Sequence, residues 1–325
     1  MADLSCTIAG VRFPNPLTLA SGIWGTSPAL LERAALCGAG AVTAKSASPE
    51  ARRGHRNPTA VDWGGGLLNA MGLPNPGCGE EAVMLEEAKR LLAPLGVPLI
   101  ASIFADRVEG FGRAAETVSR ARPDLIEVNI SCPNVAAECG IPFAATPETA
   151  AAVTRAVKAA TRIPVTVKLS PAVASIASIA AAVEEAGADA ITAVNTMQGL
   201  LIDAESGRPV LANSTGGISG AALKPIALRC VWEIARAVKI PIIGTGGVLS
   251  GLDAVEMVMA GATAVGVGSA VYYGGGECFR RILDGMNRWM EAHGHASLEE
   301  IRGSALRAMP ASATNPPPFP AWRKP

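Results

Sequence analysis

Eight short apolar runs rich in β-forming residues recur along this 325-residue chain, Ala-rich stretches with helical spacing lie between them, and polar turns separate the two. Together these observations predict the α/β class and a single (β/α)8 TIM barrel, since parallel strands joined by crossover helices over about 250 residues or more tend to close. A doubly wound open sheet is the alternative. With 49% apolar residues, the chain can bury one large core.

The runs fall at 17–21, 41–45, 98–103, 124–130, 164–169, 190–195, 241–244 and 264–267. The fourth is the most informative, being short, β-rich and bounded by Pro123 and Pro133, so that it reads as a strand opening into a loop. Helical candidates between the runs include 80–92, 149–161, 176–186, 226–238 and 252–260. Segments 49–79 and 197–224, rich in Gly, Pro and Asn, interrupt the rhythm after a candidate strand and are expected as insertions over the C-terminal face of the strands. One domain is expected over 1–308, followed by a Pro-rich tail at 309–325, extended or disordered, with Trp322 as its one candidate for docking.

Charged residues make up 17% of the chain, below the usual quarter or so, which suggests surface covered by a partner or a second copy. Twenty-eight basic and 28 acidic residues cancel, and no Lys/Arg stripe interleaves with aromatics, so neither nucleic acid nor an anionic membrane is expected as partner. The N-terminus has no basic region followed by an apolar stretch, and no run is long enough to span a bilayer, so a cytoplasmic location is expected. Seven scattered cysteines without a C-x-x-C pair argue against a disulfide framework, a zinc site or an Fe–S cluster, and no metal is expected.

Three groups of residues point to chemistry. Asn129-Ile130-Ser131-Cys132-Pro133-Asn134 puts a thiol between carboxamides where a buried strand ends, the end at which α/β folds bind ligands. Gly244-Thr245-Gly246-Gly247 and Gly266-Val267-Gly268-Ser269 close the seventh and eighth strands, where glycines let backbone N–H groups approach a phosphate; no P-loop pattern accompanies them. Lys45 and Lys168 each close an apolar strand, reaching either solvent or an anion. Around them Asn69, Asn129, Asn134 and Asn195, with Thr196, would suit a ligand with adjacent N–H and C=O groups, such as a pyrimidine.

From Ile8 to about Tyr273 the chain resembles the dihydroorotate dehydrogenases. The matching motifs are Leu68-Asn69-Ala70-Met71-Gly72-Leu73-Pro74-Asn75-Pro76-Gly77, the Asn129 to Asn134 motif, Val167-Lys168-Leu169-Ser170-Pro171, Val194-Asn195-Thr196, Thr215-Gly216-Gly217-Ile218-Ser219-Gly220 and Lys224-Pro225-Ile226-Ala227-Leu228-Arg229. This resemblance implies an FMN enzyme that oxidises dihydroorotate to orotate in pyrimidine synthesis. By the same resemblance, Cys132 would be the base at C5 and Lys168 would stabilise the anionic reduced flavin. Lys45, Asn69 and the Met71-Gly72-Leu73 backbone would hold the substrate carboxylate, and Asn129, Asn134, Asn195 and Thr196 would read the pyrimidine edge. Ala20, Ser21, Gly22, Lys45, Ser46, Asn129, Lys168, Val194, Ser219, Gly220, Gly246, Gly247, Gly268 and Ser269 would bind FMN. A thiol with a pKa of about 8.5 needs only modest help to act as a base near neutral pH.

The chain is similar to soluble class 1 enzymes rather than the membrane-associated class, which uses serine as base. Asn195-Thr196-Met197-Gln198-Gly199-Leu200-Leu201-Ile202-Asp203 and the Lys224 to Arg229 run look most like the NAD-linked class 1B subunit. That class implies a homodimer or a heterotetramer with a partner subunit carrying FAD and a 2Fe-2S cluster. Two departures stand out, the lid at 135–143 and the proline tail; Cys139 in that lid is a candidate to quench Cys132 by disulfide formation or an inert residue. Rival readings are a dihydropyrimidine dehydrogenase-like subunit, whose substrates lack the carboxylate, a non-catalytic barrel scaffold, and a hydroxyacid oxidase. The last usually wants a histidine base, and His55, His293 and His295 fall in expected loops or tail.

Overall fold

A computed structural model describes residues 2–131 and 143–307. Cys132, Asn134, Cys139 and the 309–325 tail lie outside the described residues. Eight parallel strands close into a barrel: β1 (Leu17–Leu19), β2 (Ala41–Thr43), β3 (Leu99–Ile103), β4 (Leu125–Asn129), β5 (Val165–Leu169), β6 (Ala190–Ala193), β7 (Ile242–Thr245) and β8 (Ala264–Val267). Each pairs in parallel with the next in sequence, and β8 returns to β1 through Val265↔Leu17 and Val267↔Leu19. The helices outside are α1 (Pro28–Leu36), α2 (Cys78–Leu92), α3 (Val108–Ser119), α4 (Pro147–Ala160), α5 (Ile176–Glu185), α6 (Lys224–Ala235), α7 (Gly251–Met259), the short α8 (Ser269–Gly274) and α9 (Cys278–Ala292).

Helix starts follow local chemistry. Ser27, Thr146 and Ser175 sit in extended conformation and accept the N–H of the residue three positions on, with Pro at the start of α1 and α4. Ser250 and Asp253 form a reciprocal capping box on α7. Close backbone approach fixes two positions: a Cβ on Gly251 would meet the Gly285 carbonyl carbon at 2.4 Å, so α7 and α9 touch without intervening side chains.

Side chains alternate across each strand, and the barrel separates them cleanly into two sets. Outward residues such as Leu17, Leu19, Val42, Ile126, Val128, Val165, Val167, Ile191 and Val267 pack with the helices in the main core. The inward set is graded along the axis. At the N-terminal end, Ala41, Ile100, Leu125, Ala190, Ile243 and Ala264 are closed off by Ile8 and Phe13 of the hairpin Cys6–Ile8/Val11–Phe13. Two residues further along, the inward positions become buried polar groups: Thr18, Thr43, Ser102, Glu127, Thr166 and Thr192. A further two residues along stand Lys45, Asn129 and Lys168, also buried.

The two insertions meet above the barrel. They contribute Ala60–Asp62, Leu67–Asn69, Met197–Leu200 and Thr215–Ser219 to one antiparallel sheet, in which Asn69 pairs with Gly217 and Ala60. Neither insertion has a core of its own; Leu68, Ala70 and Leu211 form a small apolar cluster beneath Trp63 and Ile218.

Candidate active site

A cavity of about 570 Å³ opens at the C-terminal ends of the strands under this sheet, a volume within the usual range for small-ligand sites. Of the site residues expected from sequence, every one that is described lines it: Ala20, Ser21, Gly22, Lys45, Ser46, Asn69, Met71, Gly72, Leu73, Asn129, Lys168, Val194, Asn195, Thr196, Ser219, Gly220, Gly246, Gly247, Gly268 and Ser269. Cys132 is next in sequence to Ser131, which also lines the cavity, and Asn134 is three positions after it, but both lie outside the described residues.

One flank is a hydrogen-bonded chain. The Asn195 amide donates to Ser131 Oγ at 2.6 Å and to Asn129 Oδ1 at 3.4 Å, and Ser131 Oγ donates to Asn129 Oδ1 at 2.8 Å. The Asn129 amide nitrogen donates in turn to Ser46 Oγ at 3.5 Å, Ser46 and Ser102 share a hydrogen bond of 2.8 Å, and Ser102 Oγ donates to Glu127 Oε1 at 3.3 Å. A carboxylate can only accept, so an ionised Glu127 forces Ser102 to donate to it and Ser46 to donate to Ser102. The polarity of the chain therefore starts at Glu127, and it leaves Asn129 Oδ1 facing Ser131 and Asn195. Lys168 Nζ stands 3.5 Å from Glu127 Oε1, with both side chains under a tenth exposed.

The loop that carries Met71, Gly72 and Leu73 owes its shape to Asn75, whose Oδ1 accepts from Ser48 N and Gly77 N and whose amide donates to Leu73 O. This turn places Met71, Gly72 and Leu73 at the cavity wall. Gly72 has φ +74° and a Cβ there would lie 2.6 Å from His55 N, so only glycine fits. Asn69 donates to Gly217 O at 3.3 Å, and Gly217 lies so close to Thr196 that a Cβ would overlap its hydroxyl. Beneath this flank, in the first turn of α2, burial pushes the Glu81 carboxyl up to about 7 against the lowering field of Lys45.

The opposite flank is a glycine cradle. Gly246 and Gly247 adopt positive φ after β7, while Gly22 and Gly268 face open space: a Cβ would meet nothing within 4 Å at Gly22, and only Ala20 Cβ at 3.6 Å at Gly268. Such bare backbone against a cavity suits a phosphate-bearing cofactor with a flat ring system, and two buried lysines suit its anionic parts. The donor set therefore fits FMN. Among the described residues no cluster of His, Cys, Asp and Glu is placed to hold a metal ion, and no helix is long and apolar enough to cross a membrane.

The family model described as dihydroorotate dehydrogenase matches residues 3–290. This chain belongs to the dihydroorotate dehydrogenase family. It is 44% identical over 302 residues to the protein named dihydroorotate dehydrogenase B (NAD(+)), catalytic subunit, of Methanocaldococcus jannaschii, covering 93% of this chain and 98% of the relative. Proteins of the same name from Methanosarcina mazei and Pyrococcus abyssi are 46% identical over 303 residues and 43% identical over 304; the matches cover 93% and 94% of this chain, and 95% and 99% of those relatives.

Sequence reasoning did not single out Ser102 or Glu127 in this dehydrogenase-family barrel, nor Ser131 as a site residue apart from its motif. A usable signal existed for Glu127: it precedes Asn129 by two in a strand otherwise apolar, so it must share the inward face. The described cysteines are unpaired, and burial raises the thiols of Cys6 and Cys78 to about 12 and of Cys278 to about 11, which leaves them inert.

Proposed function

We propose that this protein is an FMN-dependent oxidoreductase that oxidises dihydroorotate to orotate, the step that supplies the pyrimidine ring. The observation that carries this reading is the meeting, in one cavity, of the glycine cradle, the buried Lys168 and the carboxamide flank. When bound, FMN supplies the two-electron acceptor for the hydrogen leaving C6.

The chain's own residues do the rest. Lys45, with the Asn69 amide and the Met71-Gly72-Leu73 backbone, holds the substrate carboxylate; Asn129, Asn134, Asn195 and Thr196 align the ring's N–H and C=O groups. Cys132 takes the C5 proton, a role assigned by its motif. Lys168 would supply positive charge to the flavin, and Ser219, Gly220, Gly246, Gly247, Gly268 and Ser269 would help hold the cofactor. Ala20, Ser21, Gly22, Ser46 and Val194 complete its pocket. The sheet formed by the two insertions keeps bulk water from the reacting carbons.

Relatives named as catalytic subunits of an NAD(+) enzyme support a further step, in which electrons leave through a partner subunit; the family resemblance alone implies that this partner carries FAD and a 2Fe-2S cluster within a heterotetramer. Anaerobic mixing of the yellow protein with dihydroorotate, followed by visible absorbance, tests the core reading. Rapid bleaching in the wild type and near-complete loss in Cys132→Ala are expected. No bleaching with flavin bound would reject the donor; tight uracil binding without orotate binding would favour a dihydropyrimidine dehydrogenase-like activity.

A further inference from the structure

We propose that Glu127 is a positioning residue: as the buried counter-charge of Lys168, it holds that ammonium at the cavity floor and sets how strongly the site favours negative charge on the bound flavin. The inference rests on the FMN reading above and goes beyond it, by placing the control of flavin electronics on a residue that does not line the cavity.

Both side chains are withdrawn from water, and the Glu127 side chain is even less exposed than that of Lys168. Water screens this buried pair only weakly, so each charge is felt more strongly by its neighbours than it would be at the surface. At 3.5 Å the contact is looser than a well-formed charged hydrogen bond of about 2.8 Å, which leaves Lys168 donors free to face the cavity it lines. Ser102, itself tied to Ser46, donates to the same Glu127 Oε1 that faces Lys168 and holds it from below. The carboxylate therefore cannot follow the lysine upward. Adjacent registers, Ser102↔Glu127 and Asn129↔Lys168, fix the three residues on neighbouring strands.

The consequence is electrostatic. With Glu127 ionised, the floor of the site carries a compensated cation. Exchange of the carboxylate for an amide of the same shape leaves the Lys168 charge unopposed, and any process that places negative charge on the flavin ring becomes more favourable.

Sulfite reports this without substrate. Its sulfur lone pair forms a bond to flavin N5, the ring gains that electron pair, and the resulting negative charge rests on the N1 and O2 edge. Sulfite titrations of the FMN-loaded wild type, Glu127→Gln, Glu127→Asp, Lys168→Met and the Glu127→Gln/Lys168→Met double variant are read by visible absorbance. Sulfite should bind Glu127→Gln at least about tenfold more tightly than wild type, equivalent to a rise of about 30 mV in a two-electron potential. Glu127→Asp, which keeps the charge but draws it back, should shift the same way by less, and it decides the matter if Glu127→Gln does not retain flavin. In the Lys168→Met background, Glu127→Gln should change sulfite affinity by less than about twofold, because the partner through which it acts is gone.

Unchanged sulfite affinity in the flavin-loaded glutamate variants would overturn the inference, as would an equal shift with and without Lys168. A wild-type protein that takes up no FMN would instead overturn the flavoenzyme reading, and this inference with it.

Discussion

Glu81→Gln should make the protein more stable at neutral and alkaline pH and leave it unchanged in mild acid. Glu81 is 4% exposed, and its Oε1 has no hydrogen-bond partner. Burial lifts its carboxyl from the ordinary 4.5 to about 7, with Lys45 opposing the rise. At about 1.4 kcal/mol per tenfold change in proton affinity, the ionised form is disfavoured in the folded protein by roughly 3 kcal/mol. The sign follows from linkage. Between pH 4.5 and 7 the folded chain holds this proton and the unfolded chain has lost it, so stability falls as pH rises and levels off above about 7. The amide variant has no proton to lose and lacks this fall. Urea denaturation at pH 4 and pH 8 measures it: the variant's advantage should be near zero at the lower pH and about 3 kcal/mol at the higher. Parallel stability curves for the two proteins across this range would show that Glu81 is solvated or paired in solution, and the reasoning would fail.

Asp253→Asn should cost about 1–3 kcal/mol, measured by urea denaturation, because Asp253 both completes the α7 capping box and receives Lys224, which it shares with Glu256. Burial raises the Asp253 carboxyl, but hydrogen bonds from Lys224 and Ser250 hold it net below its usual range, so its contribution in the wild type is full above about pH 4 and disappears as pH falls through the lower folded value. Gly246→Ala should weaken FMN binding about tenfold or more in fluorescence titration, since φ is +135° and the new Cβ would stand 2.7 Å from Ala227 Cβ. Gly285→Ala should lower Tm by several degrees in calorimetry, reflecting about 1–3 kcal/mol of overpacking where α9 rests on the Gly251 backbone at 3.0 Å.

All eight barrel strands were legible because each is a short apolar run ended by a turn, and the barrel buries both faces of every strand. The helices were legible from Ala-rich spacing, although Pro28–Leu36, Val108–Ser119 and Cys278–Ala292 did not stand out. Gly110 and Gly112 break the pattern of one, and the last mixes many charged residues with its buried stripe of Phe279, Ile282, Met286 and Met290. The insertions read as loops, yet they pair as a sheet. Their strands are short and glycine-rich, and their pairing joins Asn69 to Gly217 across 148 residues, a relation no local pattern carries. Every described site residue expected from motifs reached the cavity, because each sits at or just beyond a strand end, or in an insertion strand or turn. What stayed hidden was the layer beneath, where Ser102 and Glu127 look like ordinary strand residues until the barrel closes.

That layer explains why the barrel can be stable and reactive at once. An apolar interior throughout would be the cheaper solution, since Thr18 Oγ1 is buried without a partner and a buried ion pair seldom stabilises a fold. The chain instead confines apolar packing to the N-terminal end, where Ile8 and Phe13 close the barrel against Ile100, Leu125 and Ile243. Polar groups begin only two residues further along on six of the eight strands. Because the strands are locked in register by their ladders and by the helices outside, the middle layer is rigid without needing apolar contacts of its own. Thr166 and Thr192 bond across it at 3.0 Å, and Ser102 carries the polarity of Glu127 to Ser46 and Asn129. Substitution of Ser102 by valine would leave the barrel able to close but would free Ser46 to donate elsewhere. The Asn129 carboxamide would keep its orientation, because the Ser131 backbone N–H donates to its Oδ1, so the change would reach the ligand only through the direction of the Ser46 hydroxyl that accepts from the Asn129 amide.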